Sequence, residues 1–200
     1  MEAGIAENGV VIVKFVAPLK VTSEQPTFVS DSLSLKRYTS NNKAQRWVIQ
    51  TNLEPSNNSA DFLVHSVVNG YDNSFSIKMP QVYRKAIANA ATSGTVSATA
   101  PAGAFSIPVT LAGTKIIQKG EFIQFGDDDK VYLVKENLVG SGNLQIFPAL
   151  TKQALINSLV KLGASVFMKA RYETDTILGI QYTDGILSDP GTVTFIEALV

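Results

Sequence analysis

Three groups of side chains in this sequence have the types and spacing that chemistry requires. Asp127, Asp128 and Asp129 stand in a row, and three carboxylates can hold calcium or magnesium through oxygen. Strand-like segments bound the run on both sides, and neither a mid-loop glycine nor a downstream bidentate glutamate completes a calcium-loop spacing. Aspartate after Gly126 is also what a tight turn selects, so the run reads as a solvated hairpin tip. His65 lies four residues after Asp61, a spacing that on a helix lets a carboxylate orient an imidazole as general base. No serine in a strained glycine elbow and no second histidine accompanies it, so a surface i,i+4 pair is the expected reading. Lys36, Arg37, Lys43, Arg46, Lys78, Arg84 and Lys85, with Tyr38 and Trp47, form a third set of cations and aromatics, the types that line single-stranded nucleic-acid surfaces. Lys36 and Arg37 are strand neighbours and point to opposite faces, which favours an ordinary solvated face. Gly94 and the turn Gly140-Ser141-Gly142-Asn143 neither open a helix nor carry the Lys-Ser/Thr ending of a phosphate loop. No catalytic, cofactor-binding or metal-binding residue is singled out, and no enzyme is expected.

Composition narrows the chemistry further. Seventeen basic and seventeen acidic side chains cancel, so no chain-wide field draws the protein to nucleic acid or to an anionic membrane. Cysteine is absent, which removes disulfides, thiolate metal sites and a cysteine nucleophile together. A single histidine argues against most transition-metal centres. With 200 residues, 45% of them hydrophobic, there is enough chain for one domain with a full core or two of about 100 residues each. Residues 1–18 hold a short apolar run after two glutamates, and every longer window is interrupted by ionisable or amide side chains, so neither a signal peptide nor a membrane helix is expected.

Strands must position these groups. Residues 10–16 are apolar and β-branched, and Pro18 is expected to end that strand or confine it to an edge. Residues 32–40 and 44–53 both alternate, with Leu33, Leu35 and Arg37 sharing a face of the first and Trp47, Ile49 and Thr51 a face of the second. The intervening Asn41-Asn42-Lys43 is turn chemistry, so the two segments are predicted to pair as a hairpin. Ala60, Leu63, Val64, Val67 and Val68 fall on a 3.6-residue stripe closed by Gly70, which predicts an amphipathic helix over 59–69 lying across a sheet. Phe75, Ile77 and Met79 alternate in a strand over 74–80. Residues 84–101 are mostly small and polar after Ile87 and read as an interdomain connection, with 95–99 able to pair as an edge strand. Residues 105–111, 121–125, 130–135 and 144–147 have the spacing of strands in a small barrel or sandwich. Leu155, Leu159, Val160 and Leu162 suggest a short helix over 151–162, and 164–173 and 192–199 read as strands. No internal repeat is found. The expected class is mainly β, of the α+β kind.

The order of short signals carries a resemblance. Pro101-Ala102-Gly103, the strand over 108–111, Lys119-Gly120-Glu121-Phe122-Ile123, Lys130-Val131-Tyr132-Leu133-Val134, Ser141-Gly142-Asn143-Leu144 and Ile146-Phe147-Pro148 resemble the β-domain inserted in distal tail proteins of long-tailed, siphophage-type bacteriophages. Gln45-Arg46-Trp47, the helix over 59–70, the strand ending at Pro80-Gln81 and the closing Thr-Val-Thr-Phe-Ile-Glu-Ala-Leu resemble the tail-tube-like part of the same family. The resemblance implies a tail-tube-like ring-forming domain with one packed helix, built from residues 1–90 and 175–200, and an inserted barrel resembling the oligonucleotide- or oligosaccharide-binding (OB) fold over 91–174. It further implies a structural virion protein, a homohexameric ring at the tube-to-baseplate junction of the tail. Its partners would be copies of itself, the tail tube protein and the hub or fibre proteins, with no cofactor, no membrane, and nucleic acid only as genome passing through the lumen. An alternative is a small-barrel module binding host polysaccharide or single-stranded nucleic acid, with Tyr132 and Trp47 as its contact residues.

Overall fold

The computed structural model describes residues 3–32, 37–41, 44–56, 58, 60–62, 64, 74–81, 89–126, 128–173, 182–183, 186–187 and 191–198. In chain order the first strands are β1 (Gly4–Glu7), β2 (Val10–Glu24), β3 (Thr27–Asp31), β4 (Arg37–Asn41), β5 (Arg46–Leu53) and β6 (Phe75–Lys78). A middle group follows: β7 (Ser93–Val96), β8 (Ser106–Thr110), β9 (Ile116–Ile117), β10 (Phe122–Phe125), β11 (Tyr132–Val134), β12 (Leu138–Val139), β13 (Gly142–Phe147) and β14 (Leu159–Leu162). The last are β15 (Phe167–Tyr172), β16 (Tyr182–Thr183), β17 (Ile186–Leu187) and β18 (Thr192–Glu197).

These strands close two antiparallel barrels, one in the order β1-β2-β5-β18-β15-β6 and one in the order β10-β11-β13-β8-β7-β14. The fold is therefore mainly β, as expected, and both units close as six-stranded barrels. In the first barrel Asn8 and Gly9 both take positive φ, 50° and 81°, which is the turn geometry that joins strands with a right-handed twist. Gly4 lies so close to β2 that a Cβ there would sit 2.2 Å from the Val13 carbonyl oxygen. Pro18 does not end its strand: β2 continues to Glu24, and the ladder to β5 shifts register between Val16 and Lys20. A proline lacks the donor a regular ladder needs, and an irregular step leaves that position unpaired. Ile5, Val13, Ile49, Leu53, Ile77, Met168 and Phe195 fill the interior. At roughly 1.5–3 kcal/mol for each fully buried large apolar side chain, this packing drives closure.

The second barrel occupies the chain between β6 and β15, which are paired neighbours in the first barrel. Its core is Val96, Ile107, Val109, Ile123, Tyr132, Leu144, Ile146 and Val160. All four residues of β10 are buried, because Ile123 and Phe125 point into their own barrel while Phe122 joins the core of the first. That double burial is why β10, Phe-Ile-Gln-Phe, is apolar on both faces apart from Gln124.

Several expectations are corrected. β4 pairs with β3, while β5 pairs with β2 and β18, so segments 32–40 and 44–53 do not form a hairpin. The stretch over 151–162 is not a helix: Asn157 has φ 66°, and Val160 and Leu162 are buried while Leu159 is exposed, which is the two-residue period of β14. The connection at 84–101 contains β7, which pairs with both β8 and β14 inside the second barrel. β15 pairs with β6 and β18, so residues 167–172 belong to the first barrel and not to the unit expected over 91–174. Of the helix expected over 59–69, the described residues Ala60, Asp61, Phe62 and Val64 are helical, and Phe62 packs edge-on against Phe75 at 5.1 Å. Its remaining residues lie outside the described ones. Among the described residues no helix is long and apolar enough to cross a membrane.

Candidate functional site

Among the described residues, the densest polar chemistry lies where the two barrels meet. β5 begins next to Gln45, β18 ends in Glu197, and both approach the segment that leads into β11, where Lys130 and Val131 sit. Lys130 and Glu197 are 2% and 3% exposed, yet both are ionisable. The Lys130 ammonium donates to the Gln45 carbonyl oxygen at 3.0 Å, to Gln45 Oε1 at 2.7 Å and to Glu197 Oε2, which uses all three of its donors. Glu197 also accepts the backbone N–H groups of Trp47 and Val131, each at 3.1 Å. Burial holds the Lys130 ammonium below its ordinary value against the opposing pull of Glu197, and then of Asp128. The same desolvation pushes the Glu197 carboxyl up, opposed by Lys130 and the two peptide donors.

Neutral groups complete the seam. Gln81, just after β6, donates to the Phe122 carbonyl and accepts from the Phe122 N–H, both at 3.1 Å. Gln124 on β10 does the same to β15 in the opposite sense, donating to the Phe167 carbonyl at 2.7 Å and accepting the Phe167 N–H at 3.0 Å. Each primary amide thereby stands in for one peptide unit of a neighbouring strand. The Trp47 indole N–H donates to the Val131 carbonyl at 2.7 Å, and its ring meets Phe122 and Phe147 edge-on at 5.3 and 6.2 Å. A cleft of about 430 Å³ is lined in part by Glu24, Gln45, Arg46, Lys130, Pro148 and Thr151. Arg46 at its rim is paired to Glu24 at 2.6 Å. Lys130 has no free donor to offer this cleft, so the arrangement holds two surfaces together and does not present a nucleophile.

The groups singled out from the sequence are placed elsewhere. Asp128 accepts from the Lys130 N–H at 3.1 Å, the Tyr132 hydroxyl at 2.7 Å and the Thr151 hydroxyl at 3.1 Å, which spends its carboxylate on fixing the turn. Burial raises the Tyr132 hydroxyl well above its ordinary value. Asp129 pairs with Lys169 at 2.8 Å, and Asp127 lies outside the described residues. Among the described residues no group of three histidine, cysteine or acidic side chains could hold a metal ion. Asp61 is exposed, and His65 lies outside the described residues, as do Lys36, Lys43, Arg84 and Lys85. Arg37 and Tyr38 are exposed on β4, and Lys78 is half-buried on β6. Trp47 and Tyr132, at 4% and 0% exposure, are core residues and cannot stack a base or a sugar from solution.

Gln45, Gln81, Gln124, Lys130 and Glu197 were not singled out from the sequence as interacting groups. A faint signal existed: Gln124 and Glu197 each interrupt an apolar run, and a polar side chain in such a place needs a buried partner. No model of a known protein family matches this chain, and no curated protein matches it.

Proposed function

We propose that this chain is a structural, non-enzymatic subunit of a bacteriophage tail, a siphophage-type distal tail protein. In this reading the first barrel is the tail-tube-like, ring-forming domain and the second is the OB-like insertion facing outward. Copies of the chain, six in the family's usual arrangement, close a ring at the tube-to-baseplate junction. The ring joins the tail tube protein on one side to hub or fibre proteins on the other, in the virion.

The observation that carries this reading is one closed barrel inserted between two paired strands of another, with a two-stranded ribbon outside both that exposes apolar side chains. That ribbon is β3–β4: every residue of β3 is exposed, including Phe28 at 67% and Val29 at 45%. A two-stranded ribbon is marginal alone in water, and an assembled ring gives it a surface to cover it. The seam supports the non-enzymatic part of this reading, since Lys130 and Glu197 are spent on each other, on Gln45 and on peptide groups. The binding-module alternative loses the two aromatics chosen for it, Trp47 and Tyr132, to the core.

Electron microscopy of the purified full chain tests the proposal. Rings are expected, and a paired Phe28→Ser and Val29→Ser variant should stay folded while ring formation is lost. A protein that remains monomeric at high concentration and is missing from phage particles rules the reading out.

A further inference from the structure

We propose that the buried Lys130–Glu197 pair is a register lock, which sets the rotation of the second barrel on the first and adds little to the stability of either. Three elements from both barrels converge on it: Gln45 before β5, Glu197 at the end of β18, and Lys130–Val131 ahead of β11. The remaining seam contacts include the Trp47 ring on Phe122 and Phe147 and the neutral hydrogen bonds of Gln81, Gln124 and the Trp47 indole, and none of these leaves a bare charge behind when the barrels turn. Charged hydrogen bonds are directional, and a rotation that separates Lys130 from Glu197 strands two desolvated charges. Wrong orientations are thus penalised steeply. The right one gains little, because the attraction between the charges is offset by the loss of their water. Separating the pair's effect on orientation from its effect on stability therefore requires removing both charges at once.

The absence of cysteine makes the test direct. Spin labels on Val10→Cys and Leu159→Cys, exposed positions on β2 of the first barrel and β14 of the second, report the distance between the barrels in the full chain diluted with unlabelled protein. In the parent the distance distribution should be narrow. Lys130→Met alone leaves the Glu197 carboxylate buried without its counter-charge, and should lower Tm by roughly 6–20 °C. The combined Lys130→Met and Glu197→Gln variant should recover at least about half of that fall, the rest being the one peptide N–H, of Trp47 or Val131, that a glutamine with a single acceptor oxygen leaves unmet, while its distance distribution widens. A double variant as narrow as the parent overturns the lock, since the apolar and amide contacts would then suffice. A double variant that fails to fold, or melts as low as the single one, overturns it equally, because the pair would then be a stabilising element.

Discussion

Gln81 and Phe122 exchange two hydrogen bonds across the seam, amide to peptide and peptide to amide, both at 3.1 Å. Gln81 belongs to the connection leaving the first barrel and Phe122 to a strand of the second, so a side chain does the work of a strand where no strand reaches. Truncation removes both partners of one peptide unit. Gln81→Ala should destabilise the protein by about 1–3 kcal/mol, the usual consequence of leaving buried polar groups unsatisfied, as read from chemical denaturation. Gln81→Asn, one methylene shorter, should not restore the loss.

Trp47 is the only tryptophan and lies buried in the seam. Its fluorescence should be blue-shifted and shielded from a soluble quencher until the barrels separate. Trp47→Phe keeps an aromatic ring but deletes the donor to the Val131 carbonyl, and should reduce stability by roughly 1–3 kcal/mol. Equal stability of the variant in denaturant titrations would show that the indole hydrogen bond contributes nothing.

Gly4 is required by contact. Any Cβ there would collide with the Val13 carbonyl oxygen at 2.2 Å, and backbone cannot swing aside as a side chain can. Gly4→Ala should therefore destabilise the first barrel by about 1–3 kcal/mol, the range for overpacking. Gly9→Ala adds only the strain of a left-handed residue at an open turn, and should cost about 1 kcal/mol. Thermal melts of the two variants give the order.

The buried pair makes stability depend on pH with a definite sign. Glu197 in the folded chain titrates above its ordinary 4.5, so between 4.5 and the raised value the folded state holds a proton that the unfolded state has lost. Stability from this group therefore falls as pH rises through that window. Lys130 titrates below 10.5 in the folded chain, so between the lowered value and 10.5 the unfolded state holds the extra proton and stability rises with pH. The stability of the parent minus that of the Lys130→Met, Glu197→Gln variant should thus pass through a minimum between the two windows. Denaturant titrations at a series of pH values measure it, and a flat difference would contradict both shifts.

Local signals and partner choice were legible to different degrees. The strands later found as β8, β10, β11, β13 and β18 were readable because short apolar runs there are punctuated by glycine and aspartate. Asn8-Gly9 is a strong hairpin dipeptide, and β1–β2 could have been read from it. The pairing of 32–40 with 44–53 failed because a good turn between two strands does not say which surfaces fit. β5 finds β2 on one side and β18, from the far end of the chain, on the other, and pairing partners are chosen by packing beyond the reach of a local pattern. The helix over 151–162 failed for a related reason: Leu155 and Leu159, two members of its apolar stripe, are exposed. The seam was least legible of all. A buried glutamine shows in a sequence only as an interruption, and its partner is a peptide group, which has no side-chain identity to read.

Inserting one barrel between β6 and β15 also bears on the order in which the molecule forms. The first barrel cannot close until Lys78 reaches Phe167, and an unstructured connection of that length makes the closure entropically slow. Once the second barrel has folded, it holds its own two ends near each other and the search becomes short. The inserted unit is therefore expected to act as a folding template for its host, with amides of Ile107 and Val160 protected in pulse-labelled hydrogen exchange before those of Ile49 and Phe195. Protection appearing first in the host strands would reverse that order.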